Sequence, residues 1–346
     1  MLRGKGFKRL ITVEYHDDLN IVQGDPRLCA QLDAPAAAAP FDRLAWWRAL
    51  EEECGFTPLI AVARDGDAVA VLALHRIGRK IAALANWYSF RVRPVITPGS
   101  DSARLLGALA ADLAGQTPHL ILSPLPDEQG EARLLAAALR GSGWLVFQHQ
   151  CDVNHVLYVD GRSFAEYMAS RPGPLRTTLK RKAAKVSVTL ETTFSAESWA
   201  AYESVYARSW KPEEGSPAFL RRFAEEEGAA GRLRLAIARV GNEPVAAQFW
   251  TVERGTAFIH KLAHTEDSKP LSPGTTLSAA LFEHVIDHDR VVLVDFGTGD
   301  DGYKRDWMEE IRPRYRIEAY RPLWPGNWSA IARHMLRRLA ARAKHG

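Results

Sequence analysis

Short apolar runs bounded by turn residues recur along the chain in a fixed order, twice. FDRLAWWRALEEECGF (41–56) and PAFLRRFAEEEGAAG (217–231) both space their apolar residues as a helix does. Each is followed by a strand-like run (59–64; 233–239), a glycine-containing turn and a second run (68–74; 244–252), which together predict a hairpin. A third strand (81–86; 256–263) leads to a Pro-Gly dipeptide that opens a helix (100–113; 275–288), and an apolar strand closes the unit (120–123; 291–295). AVARDG at 61–66 matches AIARVG at 236–241, and the same offset lays Pro98-Gly99 on Pro273-Gly274. Two markers at one offset predict duplication of one fold unit. Antiparallel strands followed by a strand–helix–strand crossover make each unit α+β with a mixed, mostly antiparallel sheet.

The expected boundaries are a first unit over 1–150, a second over 151–320 and a C-terminal helix over 321–346. Between the units lie a helix (163–170), a turn at 171–174 and a basic helix, LRTTLKRKAAK (175–185). APAAAAP (34–40) is expected to be a short linker.

Composition narrows the class. With 346 residues, 47% hydrophobic and 25% charged, the chain is an ordinary globular one. A net charge of +4 does not by itself point to nucleic acid, and no DNA partner is expected. Three scattered cysteines suit a reducing cytoplasm and exclude a disulfide scaffold. No apolar run approaches the roughly 18 residues of a membrane-spanning helix, and the basic N-terminus lacks the apolar core of a secretory signal.

The segment from Gly255 to Trp307 carries most of the candidate chemistry. The run Leu271-Ser272-Pro273-Gly274-Thr275-Thr276 enters a helix, whose unpaired N–H groups and dipole favour a phosphate; a plain capped helix start is the simpler alternative. Strand alternation puts His260 and Lys261 on opposite faces. His260 is either functional or a hydrogen-bonded core residue. Lys261 either binds an anion or pairs with Asp295. Asp295 ends an apolar strand, and the loop 296–304 after it presents Asp300, Asp301, Tyr303 and Lys304. His284 and His288 have zinc-ligand spacing but no third ligand, so no metal is expected.

Two acid-free stretches are basic: the interval between Glu166 and Glu191, and everything after Glu318. The tail predicts an amphipathic helix with Trp328, Ile331, Met335 and Leu339 in one stripe, Arg333 and Arg337 opposite, and Arg338 and Arg342 flanking. Such a helix suits an anionic membrane surface or a solvated helix packed on the domain.

GNEPVA (241–246), HKLAH (260–264), SPGTTL (272–277) and VDFGTGDDGYKRDW (294–307) resemble the GNAT superfamily, in its branch of duplicated CelD-like acyltransferases related to Fem-type peptidyltransferases. The resemblance covers most of the chain, and 175–185 is similar to the basic helix such proteins carry between their units. It implies tandem GNAT-like units with catalysis in the second. The implied reaction is N-acyl transfer from acyl-CoA to an amine. The implied roles are His260 as first-choice base, Asp295 as second, Tyr303 as acid, and Lys304 and Lys261 as anion holders. Ser272 to Thr276 would take the pyrophosphate, and Trp250, Gln248, Asp300, Arg176 and Lys180 would touch substrate. The first unit, lacking these residues, would be structural or shape the acceptor cleft. A long-chain amino lipid, as in bacterial ceramide synthases, and an envelope polysaccharide amine are rival acceptors. The phosphate loop departs from the family's R/Q-x-x-G-x-G/A pattern, which leaves aminoacyl-tRNA as an alternative donor. A catalytically inactive membrane-surface module is the non-enzymatic alternative. The expected location is the cytoplasm, with possible attachment to the inner face of the membrane.

Overall fold

A computed structural model describes residues 10–33 and 38–343. Residues 34–37 of the expected linker, and the side chains of Arg338 and Arg342, lie outside the described residues. The chain forms two compact units, 1–152 with 313–346, and 153–312. The second unit therefore ends eight residues before the expected 320, and the C-terminal helix belongs to the first unit rather than standing apart.

The first unit orders its strands β1 (Thr12–His16), β2 (Pro58–Asp65), β3 (Ala68–Ile77), β4 (Lys80–Ala83) and β6 (His119–Leu125), with β5 (Val95–Ile96) pairing beside β3. The residues before Val153 in β7 (Leu145–Tyr158) also lie in this unit, and the later part of β13 (Glu310–Tyr320) pairs with β6. The second unit orders β8 (Ser187–Glu191), β9 (Leu233–Val240), β10 (Glu243–Glu253), β11 (Thr256–His264) and β12 (Leu293–Thr298), with the end of β7 on β12. In both units the first four strands are antiparallel, and the crossover then makes one parallel pair, β4 with β6 and β11 with β12. The duplication read from the hairpin glycines is thus a duplication of strand order.

Gly66 and Gly241 both take left-handed φ, 64° and 59°, and turn the equivalent hairpins. The crossover helices, Ser102–Gln116 and Pro273–Glu283, pack onto their sheets through apolar stripes. Burying those stripes, at about 25 cal/mol per Å² of apolar surface, is what ties each helix to its sheet.

Several elements were not anticipated: β7, β8, β13 and the helices Glu131–Gly141 and Ala196–Ala207. The third strand of the first unit is also shorter than expected. It stops at Ala83, and β5 pairs with β3 at Ala70 and Val71 instead. In the tail helix, Trp328–Ala343, the expected stripe faces solvent: Trp328, Met335 and Leu339 are exposed. No described helix is long and apolar enough to cross a membrane.

Candidate active site

The second unit opens where its parallel pair ends. β11 and β12 pair only over Thr256–Phe258 against Leu293–Asp295, yet β11 runs on to His264 and β12 to Thr298. The two strands part beyond that ladder.

At the parting, β11 carries a bulge. Phe249 of β10 faces Lys261 and Trp250 faces Ile259, so His260 is an extra residue. The bulge breaks the alternation, and His260 and Lys261 both meet the helix pair Ala196–Ala207 and Pro217–Ala229 with the loop joining them. This corrects the expectation of opposite faces. The His260 ring lies 5.0 Å from Phe223 and 5.2 Å from Phe249, and its Nε2 is 2.8 Å from the Thr251 hydroxyl. The Lys261 ammonium donates to Glu214 at 2.8 Å and lies 5.2 Å from the Tyr206 ring centroid. It therefore does not pair with Asp295. Burial lowers the Lys261 pKa, against the raising effect of Glu214.

Beside this pair is a pocket of about 470 Å³. Trp199, Tyr202 and Tyr206 form an aromatic wall, and Glu203, Glu213 and Glu214 supply carboxylates. Lys211 also lines it, with its pKa lowered by burial and raised in part by Asp301 and Glu214. The Asp301 carboxylate, on the loop after β12, has a raising effect on the pKa of both Tyr303 and Lys211, so that loop reaches this neighbourhood. Burial raises the Tyr303 pKa, which keeps its hydroxyl protonated near neutrality. None of the pocket's carboxylates was anticipated as a site residue.

The crossover helix begins at Ser272, whose φ of 52° is left-handed, followed by Pro273 at the first helical position. The Ser272 side chain makes no capping bond to the helix; its hydroxyl instead accepts from the ammonium of Lys182, 3.0 Å away on the basic helix Gly173–Lys182. The equivalent helix of the first unit is closed differently. There the Asp101 carboxylate accepts from the N–H of Arg104 at 3.0 Å. One helix start is thus occupied by its own acid, and the other is presented with a cation beside it. Gly274 is buried, and a methyl group in its place would lie 3.6 Å from the His264 ring.

Other expected residues have different work. Lys304 is buried, and its ammonium donates to the carbonyls of Gly297, Thr298 and Gly299. It closes the glycine loop on itself, so it is removed from the anion holders. Asp295 is buried and accepts from Asn154 at 2.9 Å and from the N–H of Gly297 at 2.8 Å, which anchors the start of the same loop. Asp300 pairs with Arg305 and with His155, and the Arg305 hydrogen bond chiefly lowers its pKa. Trp250 and Gln248 are core residues, not substrate contacts. The Trp250 ring N–H donates to Gln248 at 2.9 Å, and the Gln248 amide donates to Ser278 and to the Gly274 carbonyl. Gln248 thereby fixes the helix start to the sheet. Arg176 and Lys180 are exposed on the basic helix, while Lys182, which reaches Ser272, was not singled out as a site residue. The His284 and His288 rings lie 5.3 Å apart at an angle of 34°, and no metal-binding cluster occurs among the described residues.

Residues 169–305 match a family model described as acetyltransferase (GNAT) domain. No curated protein matches the sequence. Among solved structures, FemX is similar over 88% of this chain and 96% of its own, at 10% identity and a TM-score of 0.59. A tandem GNAT protein from the clavulanic acid biosynthesis pathway is similar over 88% and 98%, at 15% identity and 0.53. L-PGS from Bacillus licheniformis is similar over 77% and 85%, at 15% identity and 0.50. At these identities the likeness is one of fold. Residues 169–305 thus match a GNAT domain, and the doubled strand order gives the chain the fold that the tandem GNAT protein and FemX also have.

Proposed function

We propose that the second unit transfers an acyl group from an acyl-CoA thioester to a primary amine with an apolar body. The observation that carries this reading is the contrast between the two crossover helices: the Asp101 side chain caps one, whereas the Ser272 side chain leaves the other uncapped beside Lys182, with the N–H groups of Thr275 and Thr276 on the Ser272 carbonyl. Helix N–H groups, the helix dipole and an ammonium together suit a pyrophosphate. The parted edge of β11 suits a pantetheine arm, which can pair with the strand as an added strand does.

The acceptor pocket proposed is the one beside Glu214. Its carboxylates attract an ammonium, and its aromatic wall takes an alkyl chain. The amine attacks only after losing a proton. Glu214 is proposed as the proton acceptor, because it lines the pocket and is oriented by Lys261. His260, the base favoured by residue type alone, faces Thr251 and two phenylalanines instead. The amine nitrogen bonds to the acyl carbon, the carbon–sulfur bond breaks, and the second amine proton passes to the departing thiolate, with the Tyr303 hydroxyl as the proposed relay that gives one proton and takes one back.

An amine with a long alkyl chain, such as a sphingoid base, is the acceptor class this wall favours over a polysaccharide amine. The exposed Trp328, Met335 and Leu339 add a surface by which the protein would reach such a lipid at the cytoplasmic face of a membrane. The exposed cations Arg176 and Lys180 favour a second reading, an aminoacyl-tRNA donor. Free-thiol release, measured with acyl-CoAs of graded length against a panel of amines, tests the proposal. Thiol release that requires a long-chain amine supports it. Amine acylation only with aminoacyl-tRNA, abolished by RNase, would establish the second reading; no thiol release with any pair and no transfer from tRNA would leave a binding module.

A further inference from the structure

The first unit carries a second pocket, of about 590 Å³, whose lining is basic. Arg79 comes from the turn between β3 and β4, Lys80 from the start of β4, Arg316 from β13, and Arg333 and Arg337 from successive turns of the helix Trp328–Ala343. One acid, Glu318, lies among them. It accepts from the Arg316 guanidinium at 2.8 Å, the Tyr320 hydroxyl at 2.6 Å and the His334 ring at 3.2 Å. Glu318 thus balances Arg316. Among the described residues, Arg79, Lys80, Arg333 and Arg337 have no acidic partner, so four positive charges face one cavity.

A buried group stands behind them. His119 also lines the pocket and is only 7% exposed, with its ring stacked 4.2 Å from that of Tyr320. Its Nε2 makes no hydrogen bond, and the nearest Glu318 oxygen is 3.8 Å away. A buried ring nitrogen left without a partner is costly unless something else supplies one. Four unbalanced cations exceed what one carboxylate needs, and guanidinium forks match phosphate oxygens in pairs.

We propose that this pocket is a binding site for a phosphate-bearing anion, held by Arg79, Lys80, Arg333 and Arg337 with His119 at its floor. The site is separate from the acyl-transfer crevice and does not depend on that reading. Two sources share the chemistry, a soluble phosphate ester and the headgroup of an anionic lipid.

Titration calorimetry of the full chain with glycerol 3-phosphate tests the first source. Flotation with phosphatidylcholine vesicles, with and without 30 mol% phosphatidylglycerol, tests the second. Binding to either probe is expected, and it should weaken at least tenfold in Arg79→Ala/Arg333→Ala, whose two side chains are exposed and whose loss should spare the fold. His119→Phe should weaken the same binding, and in the wild type the imidazole resonances of His119 should shift as the probe is added. Response to glycerol 3-phosphate assigns a soluble ligand; response only to the phosphatidylglycerol vesicles assigns the lipid. No binding of either probe overturns the proposal, and so does binding that the double variant retains. A short RNA that binds more tightly than both probes, and is lost in the double variant, overturns it in favour of a nucleic-acid surface. None of these readouts requires turnover, so they stand apart from the outcome at the catalytic unit.

Discussion

Replacing Glu214 by Gln tests the proton acceptor and the buried ion pair together. The Glu214–Lys261 pair spans 2.8 Å, with both side chains only 12% exposed. Breaking such a pair while one charge remains buried costs about 3–5 kcal/mol. Gln keeps an oxygen that can accept from Lys261, so a loss of about 2–3 kcal/mol is expected. Burial already lowers the Lys261 pKa, and without Glu214 it falls further. A depressed lysine penalises the fold while it is protonated, so the loss should be largest at low pH and ease as pH rises through the new pKa. Urea unfolding at several pH values reads this term. Free-thiol release reads the other: loss of the base should slow turnover by about 10²–10⁴. The double variant Lys261→Met/Glu214→Leu separates the two, because it removes both charges. It should recover stability and not turnover. Turnover of Glu214→Gln within twofold of wild type, or recovered turnover in the double variant, would refute Glu214 as the base.

Lys182→Ala should raise KM for acyl-CoA by at least tenfold with little change in stability, since an ammonium–phosphate contact contributes about 1.5–3 kcal/mol. His260→Ala should cost less turnover than Glu214→Gln, with a loss of stability from the aromatic cluster; thiol-release kinetics with urea unfolding checks both. Lys304→Met leaves three loop carbonyls without their donor and should destabilise the second unit by about 2–4 kcal/mol, read by thermal unfolding. Acid should weaken the first unit in two stages, followed by urea midpoints between pH 7 and 2. Burial lowers the His119 pKa from 6.5 to about 4, so its contribution is fully present above 6.5 and lost as pH falls to about 4. For Glu318, burial pushes the pKa up, but the hydrogen bonds from Tyr320, Arg316 and His334 outweigh it and bring the pKa from 4.5 to about 2, so its contribution is lost between those values. Each stage is read as a fall in the urea midpoint across its own pH window. His119→Phe should remove the first stage and Glu318→Gln the second.

The repeat was legible because Gly66 and Gly241 perform the same left-handed turn, which only glycine makes cheaply. The helix start at Ser272 was legible for a similar local reason: Pro at the first helical position and Gly after it leave few other readings. What escaped depended on residues distant in sequence. Nothing in KPEEGSP marks Glu214 as the partner of Lys261, since the pair forms only after the helices on either side of that loop pack on the sheet. The bulge at His260 is one inserted residue and leaves no trace in an apolar alternation, yet it decides which way two side chains face. Lys304 looked like a ligand-holding cation because its burial against three carbonyls comes from the fold of the glycine loop, not from its neighbours' residue types. Strands β7 and β13 were missed because LVFQHQCDVNHVLY and EIRPRYRIEAY mix polar and charged residues into positions that the fold buries.

The proposed acyl transfer places the phosphates of an acyl carrier at the start of the crossover helix, between Ser272 and Lys182. The direct measurement is a calorimetric cycle that compares acetyl-CoA with acetyl-pantetheine, which lacks the phosphates, on the wild type and on Lys182→Ala. Removing the phosphates should cost the wild type at least tenfold in affinity and cost the variant markedly less. Equal losses in both proteins, or binding indifferent to the phosphates, would rule out that placement.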